Sequence, residues 1–197
     1  VVSFESGGNS STGFAITVAN TATCSNAALS AAANTNVGGG PRQAVPADFN
    51  RDGFQDLATA NFGASNVTVA FGIGTGGITF SIDHMVGSNP NNVAVGDVNG
   101  DGFEDIVSAN WGSDNISVLL GDGSGNFVTA ANFPAGSHPY WVALGDFNRD
   151  NKRDAAVAAS GVASVAILLG DGLGAFAAPT TYAVASGPNS VAVADLN

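Results

Sequence analysis

A single acidic phrase returns every 49 residues, and this fixed period constrains the fold more than any individual side chain. It reads ADFNRDGFQD from Ala47, GDVNGDGFED from Gly96, GDFNRDNKRD from Gly145 and ADLN from Ala194, with leading aspartates Asp48, Asp97, Asp146 and Asp195. Pro41, Pro90, Pro139 and Pro188 keep the same step, as do Gly72, Gly121 and Gly170 with the glycines two and four places beyond each. Repeated punctuation means repeated turns. A period of this length marks a repeat architecture whose units bury their apolar faces only against neighbours.

One period, residues 91–139, predicts four short strands. They are Asn92 to Gly96, Asp105 to Asn110, Asn115 to Leu120 and Asn126 to Phe133, separated by the acidic loop, the WGSD turn and the GDGSG turn. Short Val, Ala and Thr runs between Gly, Asn and Pro read as all-β. Four antiparallel strands in 40 to 50 residues are the pattern of a β-propeller blade. A β-solenoid would have shorter coils. Loop-to-loop units run 48–96, 97–145 and 146–194, with a truncated fourth loop at 195–197. Residues 1–40 read as a divergent N-terminal partial blade. The expectation is about four blades, as an arc of a larger ring or assembly, with a closed four-bladed ring as the alternative.

Charge is concentrated in the phrase. Three aspartates in each complete copy and one in the last make ten of the chain's 16 acidic residues, and the net charge is −11. That balance argues against nucleic acid or an anionic membrane as partner. No apolar run reaches the roughly 18 residues that span a bilayer. Cys24 is the only cysteine, so no internal disulfide framework exists, and a small buried hydrophobe is its expected role. With neither an initiator Met nor a signal peptide, the chain reads as processed or as a piece of something longer. Asn9, Asn66 and Asn115 head N-x-Ser/Thr sequons but read as turn asparagines.

The loop Asp-x-Asn-x-Asp-Gly-x-x-Asp offers oxygen at positions 1, 3, 5 and 9, and a backbone carbonyl at position 7. Alternate positions converge only if the loop coils tightly, which the position-6 glycines Gly53 and Gly102 permit. Asn151 fills that place in the third loop, the next most tolerant residue for a left-handed conformation. Hard oxygen donors without His or Cys favour Ca²⁺ over zinc or copper, and Mg²⁺ is a poorer match. An EF-hand is excluded: position 12 is Thr59, Ser108 or Val157 instead of glutamate, and a strand follows instead of a helix.

The DxNxDGxxD loop, the D-[LI]-x-x-A-N strand and the L-G-D-G-x-G-x-F turn together resemble FG-GAP or VCBS-type repeats, over residues 41–197. Such repeats build the propeller of integrin α-subunits and many bacterial extracellular proteins. The resemblance implies Ca²⁺ bound between the first and second strands of each blade. The matching ligands are Asp48, Asn50, Asp52, Phe54 (carbonyl) and Asp56; Asp97, Asn99, Asp101, Phe103 (carbonyl) and Asp105; Asp146, Asn148, Asp150, Lys152 (carbonyl) and Asp154. Asp195 and Asn197 begin a fourth site. The third site, with Lys152 and Arg153 beside it, is expected to bind weakest.

Gly72 to Gly77 matches G-x-G-x-x-G literally, but its equivalents lie between strands, so a hairpin turn is expected in place of a phosphate cradle. His84 and His138 have no spaced nucleophile beside them, and no catalytic residues are assigned. His84 falls in a strand and His138 in a between-blade loop. Opposite the acidic loops, Phe62, Trp111, His138, Tyr140 and Trp141 are expected to cluster. They would serve either as a protein- or carbohydrate-binding surface or as filler between blades. The functional expectation is an extracellular or cell-surface, non-catalytic adhesion or recognition module. A structural subunit of an oligomer or filament, and a propeller domain of a secreted hydrolase or lyase, are the alternatives.

Overall fold

The computed structural model describes residues 36–194, the side chains of 129 and 130 apart. The N-terminal partial blade, Cys24, Asn9 and the truncated loop with Asp195 and Asn197 therefore lie outside the described residues, save for 36–40. Among the described residues, twelve strands form three four-stranded antiparallel meanders. The first blade holds β1 (Pro41–Ala47), β2 (Asp56–Asn61), β3 (Asn66–Gly72) and β4 (Ile78–Met85). The second holds β5 (Pro90–Gly96), β6 (Asp105–Asn110), β7 (Asn115–Gly121) and β8 (Phe127–Pro134). The third holds β9 (Pro139–Gly145), β10 (Asp154–Ala159), β11 (Ser164–Leu168) and β12 (Thr180–Ala183), with a short 3-10 turn at Ser160–Val162.

Each blade opens on a proline, whose missing N–H is tolerated at the first residue of a strand. A register shift follows at once, between Pro41 and Gln43 and again between Pro90 and Asn92. The middle strands are buried on both sides: every residue of β3 and β6 is inside. The last strand of the first blade is mostly exposed or half-buried. The first strands neighbour one another, β1 beside β5 and β5 beside β9. Sheets stacked face to face, first strands together and last strands outward, are the radial order of propeller blades.

The core is therefore two layers between blades. Ala58, Ala60, Val67, Val69 and Phe71 meet Val93, Ile106 and Leu119 between the first two. Val107, Ala109, Ile116 and Val118 meet Val142, Ala155, Val157 and Leu168 between the second and third. Period-2 alternation sends Ile106 to one layer and Val107 to the other. Side chains also lace the first strands together. Gln43 Oε1 accepts from Asn92 Nδ2 at 2.8 Å and Val93 N at 2.7 Å, and Asn92 Oδ1 accepts from Val142 N at 2.7 Å.

Contacts repeat in register from blade to blade. A Cβ placed on Gly125 would stand 2.6 Å from the Phe71 ring, and one on Gly174 would stand 2.9 Å from Leu120. The third member of this series, Leu169, is 41% exposed. It borders an open groove of about 440 Å³ lined by Asn148, Asp150, Gly170, Asp171 and Phe176.

Candidate metal centre

All three acidic loops join the first and second strands of a blade, as the spacing predicts. Position 6 takes the left-handed conformation in each, with φ of 85° at Gly53, 82° at Gly102 and 62° at Asn151. Position 4 is left-handed as well: φ is 58° at Arg51, 78° at Gly100 and 63° at Arg149. Two left-handed residues within three coil the loop so that its N–H groups meet its own side chains.

The hydrogen bonds recur almost atom for atom. Asp48 Oδ2 accepts from Gly53 N at 2.9 Å, Asp97 Oδ2 from Gly102 N at 2.8 Å and Asp146 Oδ2 from Asn151 N at 2.9 Å. At position 3, Asn50, Asn99 and Asn148 accept the position-5 N–H on Oδ1, at 3.1, 3.0 and 3.0 Å. Their Nδ2 groups donate to Asp52, Asp101 and Asp150 at 2.9, 2.8 and 3.0 Å. Those aspartates accept the position-7 N–H of Phe54, Phe103 and Lys152 at 2.9, 2.9 and 3.0 Å. In the third loop Lys152 Nζ also lies 3.9 Å from Asp150.

Position 9 behaves differently. Asp56, Asp105 and Asp154 are fully buried. One oxygen of each accepts from position 2 (Phe49, Val98, Phe147) at 2.9, 2.9 and 2.8 Å. The other accepts at 2.8 Å from the glycine ending the third strand, Gly72 or Gly121, or just beyond it, Gly170. These carboxylates pin each loop to its blade. Burial, with the Asp101 and Asp97 charges, raises Asp105 to about 6 against the two N–H bonds that favour its anion. Burial likewise raises Asp56.

The donors suit a hard divalent ion in kind: carboxylate and amide oxygens on a tightly coiled loop. An ionised carboxylate has about four acceptor positions, so those at positions 1 and 5 keep capacity beyond the loop's N–H groups. Among the described residues, no three His, Cys, Asp or Glu side chains stand together around one point as they lie. An ion would draw in the side chains at positions 1, 3 and 5, which are half-buried or exposed, and the buried position-9 carboxylate, with two N–H bonds accepted, keeps acceptor capacity as well.

The glycine-rich segments are hairpin turns. Ile73 N donates to Gly77 O at 3.2 Å and Asp122 N to Asn126 O at 3.1 Å. Their first left-handed glycine lies under the position-7 side chain of the acidic loop. A Cβ on Gly74 would collide with the Phe54 ring, and one on Gly123 with the Phe103 ring. At Gly172 the neighbour is Lys152, at 3.1 Å.

At the opposite end the expected aromatic cluster forms only in part. Trp111 stacks on His138 with centroids 4.4 Å apart, and Phe62 lies 6.0 Å from Trp111. Arg42 caps the row, 4.6 Å above Phe62. Tyr140 and Trp141 sit in β9 instead, where Trp141 pairs with Ala158. Trp111 and His138 lie face to face and Phe62 is tilted against Trp111, and all three rings are half-buried. Beneath it, Asn110 Nδ2 donates to Asn115 Oδ1 at 2.8 Å and Ser117 Oγ at 2.7 Å, and Ser117 Oγ donates to Asn132 at 2.6 Å. Asn61, Asn66, Thr68 and Asp83 repeat this network in the first blade. Sequon residues Asn66 and Asn115 are thus engaged inside it. His84, in β4, packs edge-on to Phe127 at 5.1 Å, and among the described residues its buried Nε2 has no hydrogen-bond partner.

The FG-GAP-like repeat family model matches three times, at residues 48–108, 97–157 and 146–197. The chain belongs to the FG-GAP repeat family. Each match begins at the first aspartate of an acidic loop, so successive matches overlap and their starting points step by the 49-residue period. No curated protein matches. A solved structure of the Photorhabdus luminescens Tc holotoxin pore (TccC3-D651A mutant) is similar at 21% identity and a TM-score of 0.44, over 71% of this chain. The FG-GAP chain spans only 7% of that one. Among the described residues no helix is long and apolar enough to cross a membrane.

Proposed function

We propose that this FG-GAP chain is an exported, calcium-stabilised propeller module that serves recognition or adhesion without catalysis of its own. The observation that carries the reading is the threefold repetition of one hydrogen-bonded acidic loop, down to the left-handed backbone at positions 4 and 6. Asp48, Asn50, Asp52 and Asp56, with their counterparts Asp97, Asn99, Asp101 and Asp105 and Asp146, Asn148, Asp150 and Asp154, would hold the ions. The carbonyls of Phe54, Phe103 and Lys152 would assist. An ion bound only by the folded loop stabilises by RT ln(1 + [L]/Kd), about 2.7 kcal/mol per site at a hundredfold excess over Kd. Extracellular calcium modules commonly bind at about 10⁻⁴ to 10⁻³ M, which suits an exported protein. Isothermal titration of the chelated chain with calcium, followed by thermal melting, tests this: binding heat with a raised melting temperature supports it, and the absence of both refutes it.

A second reading, assembly, is favoured by Leu169. Phe71 and Leu120 are each covered by a turn glycine of the next blade, whereas Leu169 borders an open groove. A further blade, from the same or another chain, would complete that contact. Light scattering that shows only monomer at high concentration would count against completion by a second copy.

A further inference from the structure

We propose that Arg51, in the first acidic loop, sets the cation affinity of the second; the inference rests on the calcium reading above. Arg51 leaves its own loop. Its guanidinium carbon lies 4.2 Å from the centroid of Phe103, and Nη2 donates to the carbonyl of Gly102. Those residues are positions 7 and 6 of the second loop, and Phe103 is the residue whose carbonyl would ligate the ion.

The charge is placed but not neutralised. Among the described residues Arg51 forms no ion pair with a carboxylate; its partners are a carbonyl and an aromatic face. Both are electron-rich but carry no net charge, so a full positive charge stands at the edge of the second loop. It offsets repulsion among the carboxylates of the empty loop and opposes entry of a divalent cation. Both effects lower affinity.

The other loops are served differently. Position 4 of the second loop is Gly100, where a Cβ would stand 3.6 Å from the Gly172 carbonyl, so no side-chain charge passes forward to the third loop. The third loop carries its own cation, Lys152, beside Asp150. Three loops with one hydrogen-bonding plan thus have three electrostatic settings. Among the described residues, the first is the one reached by no neighbouring loop's cation and without a basic residue at position 7.

The test is calorimetric titration of the full chain with calcium chloride at low salt. Arg51→Gln should tighten one of the sites on the order of fivefold, a Coulomb effect of one charge on a divalent ion. The gain should shrink at about 0.5 M salt, where the Debye length is only a few ångströms. Arg51→Lys, which keeps the charge, should bind like the parent. In an Asp101→Asn background, where the second loop is impaired, Arg51→Gln should change nothing further. Unchanged affinity in Arg51→Gln would overturn the proposal while leaving the calcium reading intact. Weaker binding in both Arg51 variants would make the residue a structural strap and also overturn it. A parent chain that takes up no calcium would remove both readings together.

Discussion

Asp105 Oδ1 accepts the backbone N–H of Gly121 at 2.8 Å, although 16 residues separate the two in sequence. Its other oxygen holds Val98 N at 2.9 Å. One buried side chain therefore closes both the acidic loop and the end of β7. Asp105→Ala would orphan two buried donors at about 1–3 kcal/mol each. Urea denaturation should show a loss of roughly 2–5 kcal/mol without added calcium. A loss below about 0.5 kcal/mol, the size of a neutral surface change, would refute the clamp.

The same group predicts a pH dependence. Its folded pKa, about 6, exceeds the ordinary carboxylate value because burial disfavours the anion. Between roughly pH 4 and 6 the folded state holds the proton more tightly than the unfolded chain. This contribution is fully present below the unfolded value and is lost as pH rises through about 6. The stability difference between the parent and Asp105→Asn, measured without metal, should vary with that sign.

His84 predicts the opposite slope. Burial lowers its pKa, outweighing the Asp83 charge, and among the described residues no partner meets Nε2. The neutral ring is the folded form, so its contribution is present above about pH 6.5 and is lost as pH falls. His84→Phe should flatten the acid limb of the stability curve between about pH 6.5 and 5. An unchanged limb would show that the imidazole is not burdened there.

The third blade predicts how to dismantle a polar network. Ala159 and Ala166 stand where the second blade has Asn110 and Ser117, and Ala158 and Ala159 remain fully buried. Replacing both partners by apolar groups costs less than orphaning one. Asn110→Ala alone should therefore destabilise by about 1–3 kcal/mol, and Asn110→Ala with Ser117→Ala by less than the sum of the single changes. Strict additivity in chemical denaturation would refute the coupling.

The strand plan was legible because it depends on local patterning. Asn115 to Leu120 is predicted and Asn115–Gly121 observed; the acidic loop falls between first and second strands as expected. The left-handed Asn151 follows from amide chemistry alone. What depends on distant partners was not legible. Nothing beside Asp105 in sequence reveals that Gly121 waits for its carboxylate. Likewise Arg51 and Phe103 are 52 places apart and meet only because blades stack. Trp141 lies in β9, which starts at Pro139, one place after His138.

The most direct test of the account is a calcium titration of the chelated full chain, followed by thermal melting. Saturable uptake near one ion per complete acidic loop is predicted, with a melting temperature that rises with free calcium and falls again with EGTA. No uptake and an unmoved melt at about ten millimolar calcium, well above the affinity range of extracellular modules, would contradict the claim that these loops are cation sites.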